Sequence, residues 1–482
     1  MRTFSINTFG CKVNQYESQQ IRELLEQFGL RQIETTDKPD LVVVNTCCVT
    51  HTASAKSRQS IRKARNLNFD AVIVISGCLP TVETGELGNL GENTYVIKHR
   101  ENIGATLSQI VNPTPPIAID SRRTDPDCPE TLQNCQTTPI RAEYDAKIKS
   151  KNKLRNLPEL PLLTSFKGHT RAFLKVQDGC DGYCGYCIVP KARPFVTSKP
   201  VETVIEEAQA LVRAGHKEIV VTGIFLGAYG QGSVRRKNWV GEQNEKLAEL
   251  LEKIVEIPGL ARIRLSSLEP ADITPRLLDT FCKHRNIMPH LHLSLQSGSN
   301  AVLKKMCRQY SADEFREIVR LIKSRLDRPA ITTDIIVGFP GETEADFEAT
   351  VEMAKEIGFA KMHIFSFSPR KGTAAASLQG RVDNRVIKSR SQILRDLDLE
   401  LGRKFRQQFL GETDMVLIEN DNGQVFGRSE RYFMVYLEKT DKKLRKNDLV
   451  KVKLVENKKN GMIGQFTGGE ISIKSAALGK NL

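Results

Sequence analysis

The chain has no long hydrophobic run. Its longest apolar stretches, such as Ala71–Ile75, are strand-sized, far short of the roughly 20 residues a bilayer-crossing helix needs. Its first residues, Met1-Arg2-Thr3-Phe4-Ser5-Ile6, hold no hydrophobic core of a secretion signal and run straight into a strand pattern, so no signal peptide is expected. With no export signal, the eleven cysteines read as reduced thiols or metal ligands, not disulfides, and the expected setting is cytosolic with no membrane partner. One further absence is local. Cys180, Cys184 and Cys187 form a C-x3-C-x2-C run with no fourth cysteine, whereas a structural zinc site closes its tetrahedron with four Cys or His ligands.

What is present is a chain of 482 residues, too long for one core and expected to form two to four domains. Apolar residues at 40% and charged residues at 27% describe a soluble globular protein. The net charge of +14 is unevenly spread. Arg141 to Lys175 holds nine Lys/Arg against Glu143, Asp145 and Glu159, and Lys439 to Lys459 holds nine against Asp441, Asp448 and Glu456. Two basic clusters favour a phosphate backbone as partner over solubility alone.

Residues 1–112 alternate strands and helices. Arg2–Asn7, Asp40–Asn45 and Ala71–Ser76 read as strands; Glu17–Phe28 places Ile21, Leu24, Leu25 and Phe28 on one helical face, and Ala53–Arg65 reads as a basic helix. That order implies an open doubly wound parallel sheet. Cys11, Cys47 and Cys78 each fall at or just past the carboxyl end of one of its strands, the edge where such sheets gather ligands. They are therefore a candidate second metal-holding trio, although a lone cysteine at a strand end is commonly a small buried residue. Cys48 directly follows Cys47, and the alternation of an extended backbone is expected to point it away.

Residues 113–165 carry eight prolines from Pro113 to Pro161 and read as a surface linker; Cys128 and Cys135 within it have no supporting ligand and read as incidental. Residues 166–405 return to strand–helix alternation with six strand-like runs: Ala172–Val176, Glu218–Thr222, Arg262–Leu265, Leu291–Leu295, Thr332–Val337 and Lys361–Phe365. Six β/α units make a partial barrel, with function expected on the loops after the strands. Those loops hold Cys180–Cys187, Gly223, Ser266 to Pro270, Gln296 and Gly338. Beyond the helix-like Arg385–Phe409, residues 406–474 show short strands and tight turns, expected to form a small antiparallel barrel. Its turn bears Lys439, Lys442, Lys443, Arg445 and Lys446, candidate RNA-binding residues, with a structural cap as the alternative.

Three thiols on one loop suit a [4Fe–4S] cube with one iron open, to which S-adenosylmethionine could bind. With Tyr186 just before the last cysteine and a strand before the loop, this run resembles the signature of the radical-SAM superfamily; a zinc knuckle short of a ligand is the other reading. With both trios placed, the chain resembles the radical-SAM methylthiotransferases along almost its whole length. Thr8-Phe9-Gly10-Cys11-Lys12-Val13-Asn14-Gln15-Tyr16-Glu17-Ser18 is similar to the opening of the branch acting on N6-threonylcarbamoyladenosine in tRNA. Asn45-Thr46-Cys47, Gly77-Cys78, Gln177-Asp178-Gly179-Cys180, Leu226–Gly230, Leu265–Pro270 and Leu293–Ser299 also resemble it. Departures are Pro194 after Ala192-Arg193, Thr197 at the position of a second Arg, and Phe225 where His or Asn is common.

The resemblance implies an α/β protein: an N-terminal doubly wound sheet, a central partial (β/α)6 radical-SAM barrel and a small C-terminal TRAM-like β-barrel. It implies two [4Fe–4S] clusters. Cys180, Cys184 and Cys187 would hold the one that cleaves S-adenosylmethionine as a radical source. Cys11, Cys47 and Cys78 would hold the one that carries sulfur, methylated by a second S-adenosylmethionine. Tyr186, Gly223, Ser266, Glu269, Gln296 and Gly338 are the expected cofactor contacts, and tRNA, a sulfur donor and an electron donor the expected partners. The expected reaction converts N6-threonylcarbamoyladenosine at tRNA position 37 to its 2-methylthio derivative. Alternatives are the same reaction on N6-isopentenyladenosine, a non-catalytic Fe–S sensor that binds RNA, and a zinc-stabilised RNA-binding protein.

Overall fold

The computed structural model of the chain describes residues 1–82, 91–112, 160–235 and 244–470. Cys128, Cys135 and the basic stretch Lys147–Arg155 lie outside the described residues.

The N-terminal unit is a five-stranded, all-parallel sheet in the order β2-β1-β3-β4-β5, built from β1 Thr3–Thr8, β2 Arg31–Gln32, β3 Leu41–Thr46, β4 Val72–Gly77 and β5 Thr94–Val96. Because successive strand side chains point to opposite faces, Leu41 and Val43 join Phe4 and Val74 under the helix Lys12–Gln27 through Ile21, Leu24 and Leu25. Val42, Val44, Ile73 and Ile75 face the other way, onto Ile61 and Ala64 of the helix His51–Leu67. Apolar runs buried on both faces are what a parallel sheet requires.

The central unit starts with β6 Ala172–Lys175, followed by a two-stranded ribbon of β7 Gln177–Asp178 and β8 Thr197–Ser198. Then come β9 Glu218–Thr222, β10 Arg262–Leu265, β11 Ser267–Leu268, β12 His290–Leu293, β13 Ala330–Val337 and β14 Lys361–Ser366. These pair in parallel as β10-β9-β6 and β11-β12-β13-β14, and a bridge between Ile263 and Ile287 joins the two halves. β10 and β11, separated by Ser266 alone, count as one strand of a six-stranded partial barrel whose free edges are β6 and β14. The N-terminal unit spans both edges. Tyr16 donates to buried Glu207 beside β6 at 2.5 Å, while the His51 amide donates to Ser368 Oγ (3.0 Å) and Arg370 to Ser54 Oγ (2.9 Å) beyond β14.

After the helix Asn384–Gln407, the strands β15 Thr413–Asn420, β16 Phe426–Arg428, β17 Met434–Leu437, β18 Leu449–Lys458 and β19 Gly461–Glu470 close into a barrel. It seals the amino-terminal end of the central strands. Fully buried Arg262 and Arg264 meet Glu218 (3.6 and 2.7 Å) and donate to the carbonyls of Arg428 and Glu430 (3.1 and 2.8 Å). Tyr432 stacks on His290 with ring centroids 4.3 Å apart.

Candidate functional site

The loop between β7 and β8 carries Cys180, Cys184 and Cys187 at the carboxyl end of the central strands. Its entry requires glycine: Gly179 has φ +79, and a Cβ there would lie 1.8 Å from the Phe195 carbonyl oxygen. Backbone hydrogen bonds from Cys180 N to Arg193 O (2.9 Å) and Gly185 N to Met306 O (2.9 Å) then fix the loop. The three thiols line one cavity of about 160 Å³ with Tyr186, Glu269, Gln296 and Arg308. Gln296 holds φ +67, an uncommon conformation for a residue other than glycine that concentrates at functional sites.

Arg308 organises this wall. Its guanidinium donates to Cys184 Sγ (3.1 Å) and to the Glu269 carboxylate, and lies 4.8 Å from the Tyr310 ring centroid. Burial pushes the Cys180 thiol up to about 11 and the Cys187 thiol up to about 12. Burial also raises Cys184, Arg308 offsetting only part of it. Thiols held protonated in this way release protons when they ligate a metal.

Of the other expected contacts, Tyr186, Glu269 and Gln296 share this cavity, whereas Ser266 lines a second one inside the barrel. Gly223 sits against Gln177, its added Cβ 2.8 Å from Oε1. Gly338 lies under Ile387 of the long helix, its amide donating to Glu342 Oε2 at 2.8 Å.

The second trio gathers at the carboxyl edge of the N-terminal sheet. Asn14 ties its loops together, donating from Nδ2 to the carbonyls of Phe9 (2.8 Å) and Thr46 (2.9 Å); Cys78 N donates to Thr46 O at 2.9 Å. A Cβ on Gly10 would lie 3.0 Å from Cys47 Sγ, so glycine is what lets the Cys11 and Cys47 loops approach. Burial first, then the neighbouring Cys78 and Cys11, push Cys47 up to about 11.

Cys48 departs from expectation. It does not turn away but is fully buried, and its thiol donates a hydrogen bond to Cys78. The strand ends at Thr46, so strand alternation no longer sets directions beyond it. That hydrogen bond, with Arg193 and Arg100 behind it, holds Cys78 down to about 5 against burial, and Arg100 Nη2 reaches Cys78 Sγ at 3.2 Å.

A buried charge network joins this edge to the barrel. Arg193 places Nη1 and Nη2 2.7 Å from the two Glu17 oxygens and Nη1 2.7 Å from Asp178; Lys175 adds contacts of 3.3 and 3.0 Å to the same carboxylates. Ile188, next after Cys187, packs with Ala192 against Cys48, Cys78 and Leu79. The two trios are thus neighbours, joined by residues that no short sequence window relates. Thr197, at the departure from the family pattern, pairs with Asp178 in the ribbon.

The basic turn lies between β17 and β18 at the opposite end of the central strands. Lys442 Nζ sits 5.3 Å from the Phe466 ring centroid, Lys446 Nζ donates to Gly168 O at 3.1 Å, and Lys439, Lys443 and Arg445 are exposed. No helix among the described residues is long and apolar enough to cross a membrane.

Known proteins agree with this arrangement. The model of the radical SAM superfamily matches residues 174–354, and that of uncharacterized protein family UPF0004 matches residues 3–97. Among solved structures, the radical S-adenosylmethionine methyltransferase TsrM from Kitasatospora setae superposes with TM-score 0.51 at 15% identity, covering 76% of this chain and 72% of that one. The fold and the three-thiol loop define a radical-SAM protein. The threonylcarbamoyladenosine tRNA methylthiotransferases MtaB of Chlamydia pneumoniae and Thermotoga maritima are 34% and 35% identical, over 96% and 87% of this chain and 98% and 87% of theirs. The tRNA-2-methylthio-N(6)-dimethylallyladenosine synthase of Agrobacterium fabrum is 31% identical over 97% of this chain and 98% of its own. The chain belongs to the radical-SAM methylthiotransferase family, on the threonylcarbamoyladenosine branch.

Proposed function

We propose that this chain converts N6-threonylcarbamoyladenosine at tRNA position 37 to its 2-methylthio derivative. The observation that carries the reading is the adjacency of two three-thiol sites, each one ligand short of closure, across Ile188 and Ala192. Four relatives at 32–35% identity carry the threonylcarbamoyladenosine name, which supports that substrate over the dimethylallyl nucleoside of the relative at 31%. The reading divides the chain into residues 1–112 for the second cluster, 113–165 as linker, 166–405 as radical-SAM core and 406–474 as RNA-binding module.

The donor sets fit the groups this reaction needs. Cys180, Cys184 and Cys187 would hold one [4Fe–4S] cluster with an iron left for S-adenosylmethionine, and Cys11, Cys47 and Cys78 the other. When bound, these groups supply a radical that takes hydrogen from the unactivated purine C2 and the sulfur and methyl that replace it. The protein's own part is to bind, orient and exclude water. Tyr186, Glu269 and Gln296 line the cavity beside the first trio and would contact S-adenosylmethionine. Arg308 fixes Cys184 and Glu269 together. Lys439, Lys442, Lys443 and Arg445 would meet tRNA phosphates. The setting that goes with this reading is the cytosol, where thiols stay reduced and available as ligands. A sulfur donor and an electron donor complete the partners. A non-catalytic sensor would have no use for a cavity beside its open cluster.

The test is anaerobic incubation of the cluster-loaded enzyme with S-adenosylmethionine, a reductant and tRNA carrying either nucleoside, followed by nucleoside mass spectrometry. The expected product is the 2-methylthio derivative of threonylcarbamoyladenosine alone. Product only from the isopentenyl substrate would move the enzyme to the other branch.

A further inference from the structure

Inside the central barrel, in a cavity that none of the six trio thiols lines, three adjacent strands turn metal-ligating side chains to one point. Asp334 on β13 is the direct cross-strand partner of His363 on β14, and Thr332, two residues before Asp334, is the partner of His292 on β12. With a strand period of two, His292, Thr332, Asp334 and His363 all face the barrel interior. A ligand atom from each of His292, Asp334 and His363 lies within 4.8 Å of the other two. The pair His292 Nε2 and Asp334 Oδ2 is 3.4 Å apart, the edge of a tetrahedron whose bonds are about 2.1 Å. Thr332 Oγ1 meets the other ring nitrogen of His292, Nδ1, at 3.0 Å and His290 Nε2 at 3.1 Å. A hydroxyl on Nδ1 fixes the ring with Nε2 aimed at Asp334, the outer support that ligating histidines ordinarily have.

Charge points the same way. The nearby Arg264 is taken up by Glu218 and by the carbonyls of Ser429 and Glu430, and Arg171 by Glu419 at 2.9 Å. Among the described residues, the one ion pair of the Asp334 carboxylate is with His292. The three residues also line a cavity of about 300 Å³ that Lys12, next to Cys11, enters from the N-terminal unit, so a bound ion would have open positions toward that space.

We propose that His292, Asp334 and His363 form a binding site for a first-row divalent cation inside the barrel, with open positions facing the cavity under Lys12. Two imidazoles and one carboxylate suit Mn²⁺, Fe²⁺ or Zn²⁺ over Ca²⁺ or Mg²⁺, which prefer all-oxygen shells. The ion supplies a fixed positive charge that an oxygen-rich ligand can reach through the cavity.

The experiment uses the full chain with its clusters loaded, washed with a chelator and titrated with Mn²⁺, free Mn²⁺ being read by electron paramagnetic resonance. The expected result is saturable binding of one ion per chain. Asp334→Asn and His363→Asn should abolish it, and Thr332→Val should weaken it by about tenfold or more. Thermal melting and cluster iron content equal to wild type show that each variant is folded. No saturable binding by the wild type, or equal binding by a folded Asp334→Asn variant, would overturn the proposal.

Discussion

Replacing Arg193 by alanine tests whether the buried charge network holds the N-terminal sheet against the barrel. The side chain is 2% exposed and makes contacts of 2.7 Å to each Glu17 oxygen, 2.7 and 2.9 Å to Asp178 and 3.2 Å to Asn14. Removing one partner of a buried ion pair costs about 3–5 kcal/mol, because the other charge is left unpaired. Here Lys175 still reaches both carboxylates, so the low end applies, about 3 kcal/mol. At about 1.4 kcal/mol per tenfold, the equilibrium that opens this interface should shift by roughly a hundredfold. Hydrogen exchange across Asn14–Gln20 reads that shift directly, and an increase below about fivefold would refute the reasoning.

The same network sets a pH dependence. Burial pushes Glu17 and Asp178 up, but Arg193 and Lys175 overcome it and hold both below the ordinary carboxylate range. A carboxyl depressed in the folded state stabilises fully above its unfolded pKa, and that contribution is lost as pH falls through the folded value. Interface protection should therefore be flat at neutral pH and fall only below about pH 4. Arg193→Ala should shrink that fall, because carboxyls whose folded pKa moves back toward the unfolded value have less stabilisation to lose.

Changing Cys180, Cys184 and Cys187 together to Ala should halve bound iron and sulfide and abolish S-adenosylmethionine cleavage; loss of all iron would leave no room for the second cluster. Cys47→Ala should lose methylthiolation yet still cleave S-adenosylmethionine, and retained methylthiolation would take Cys47 out of the ligand set. In cluster-free protein, Cys48→Ala removes a hydrogen bond to the Cys78 thiolate, so the Cys78 midpoint should rise from about 5. Alkylation rate against pH checks this, an unmoved midpoint contradicting it. Neutralising Lys442, Lys443 and Lys446 should weaken tRNA binding and flatten its log–log salt slope by at most about three units. The change should be nearer two if Lys446 stays on the Gly168 carbonyl. Unaltered affinity across the salt titration would place RNA holding elsewhere.

Most of the strands that build the sites were readable because they are short, buried apolar runs followed by a turn residue such as Gly, Ser or Asn. All three N-terminal strands and the six barrel strands lie within a few residues of expectation. The edge strands Arg31–Gln32 and Thr94–Val96 were not, since two or three half-exposed residues carry no pattern. Cys180, Cys184 and Cys187 were legible because loop spacing encodes them. Glu17 and Arg193 lie 176 positions apart, and Arg308 lies 124 from Cys184; only the fold brings them together. His292, Asp334 and His363 went unnoticed for the same reason, one residue from each of three strands. Cys48 was misdirected because the strand stops one residue before Cys47, so the pleat could not be extended across it.

Nucleoside mass spectrometry of tRNA from cells with and without this gene tests the assigned reaction most directly. Loss of the gene should remove 2-methylthio-N6-threonylcarbamoyladenosine and leave its unthiolated precursor in its place. An unchanged level of that nucleoside, or loss of the 2-methylthio isopentenyl nucleoside instead, would contradict it.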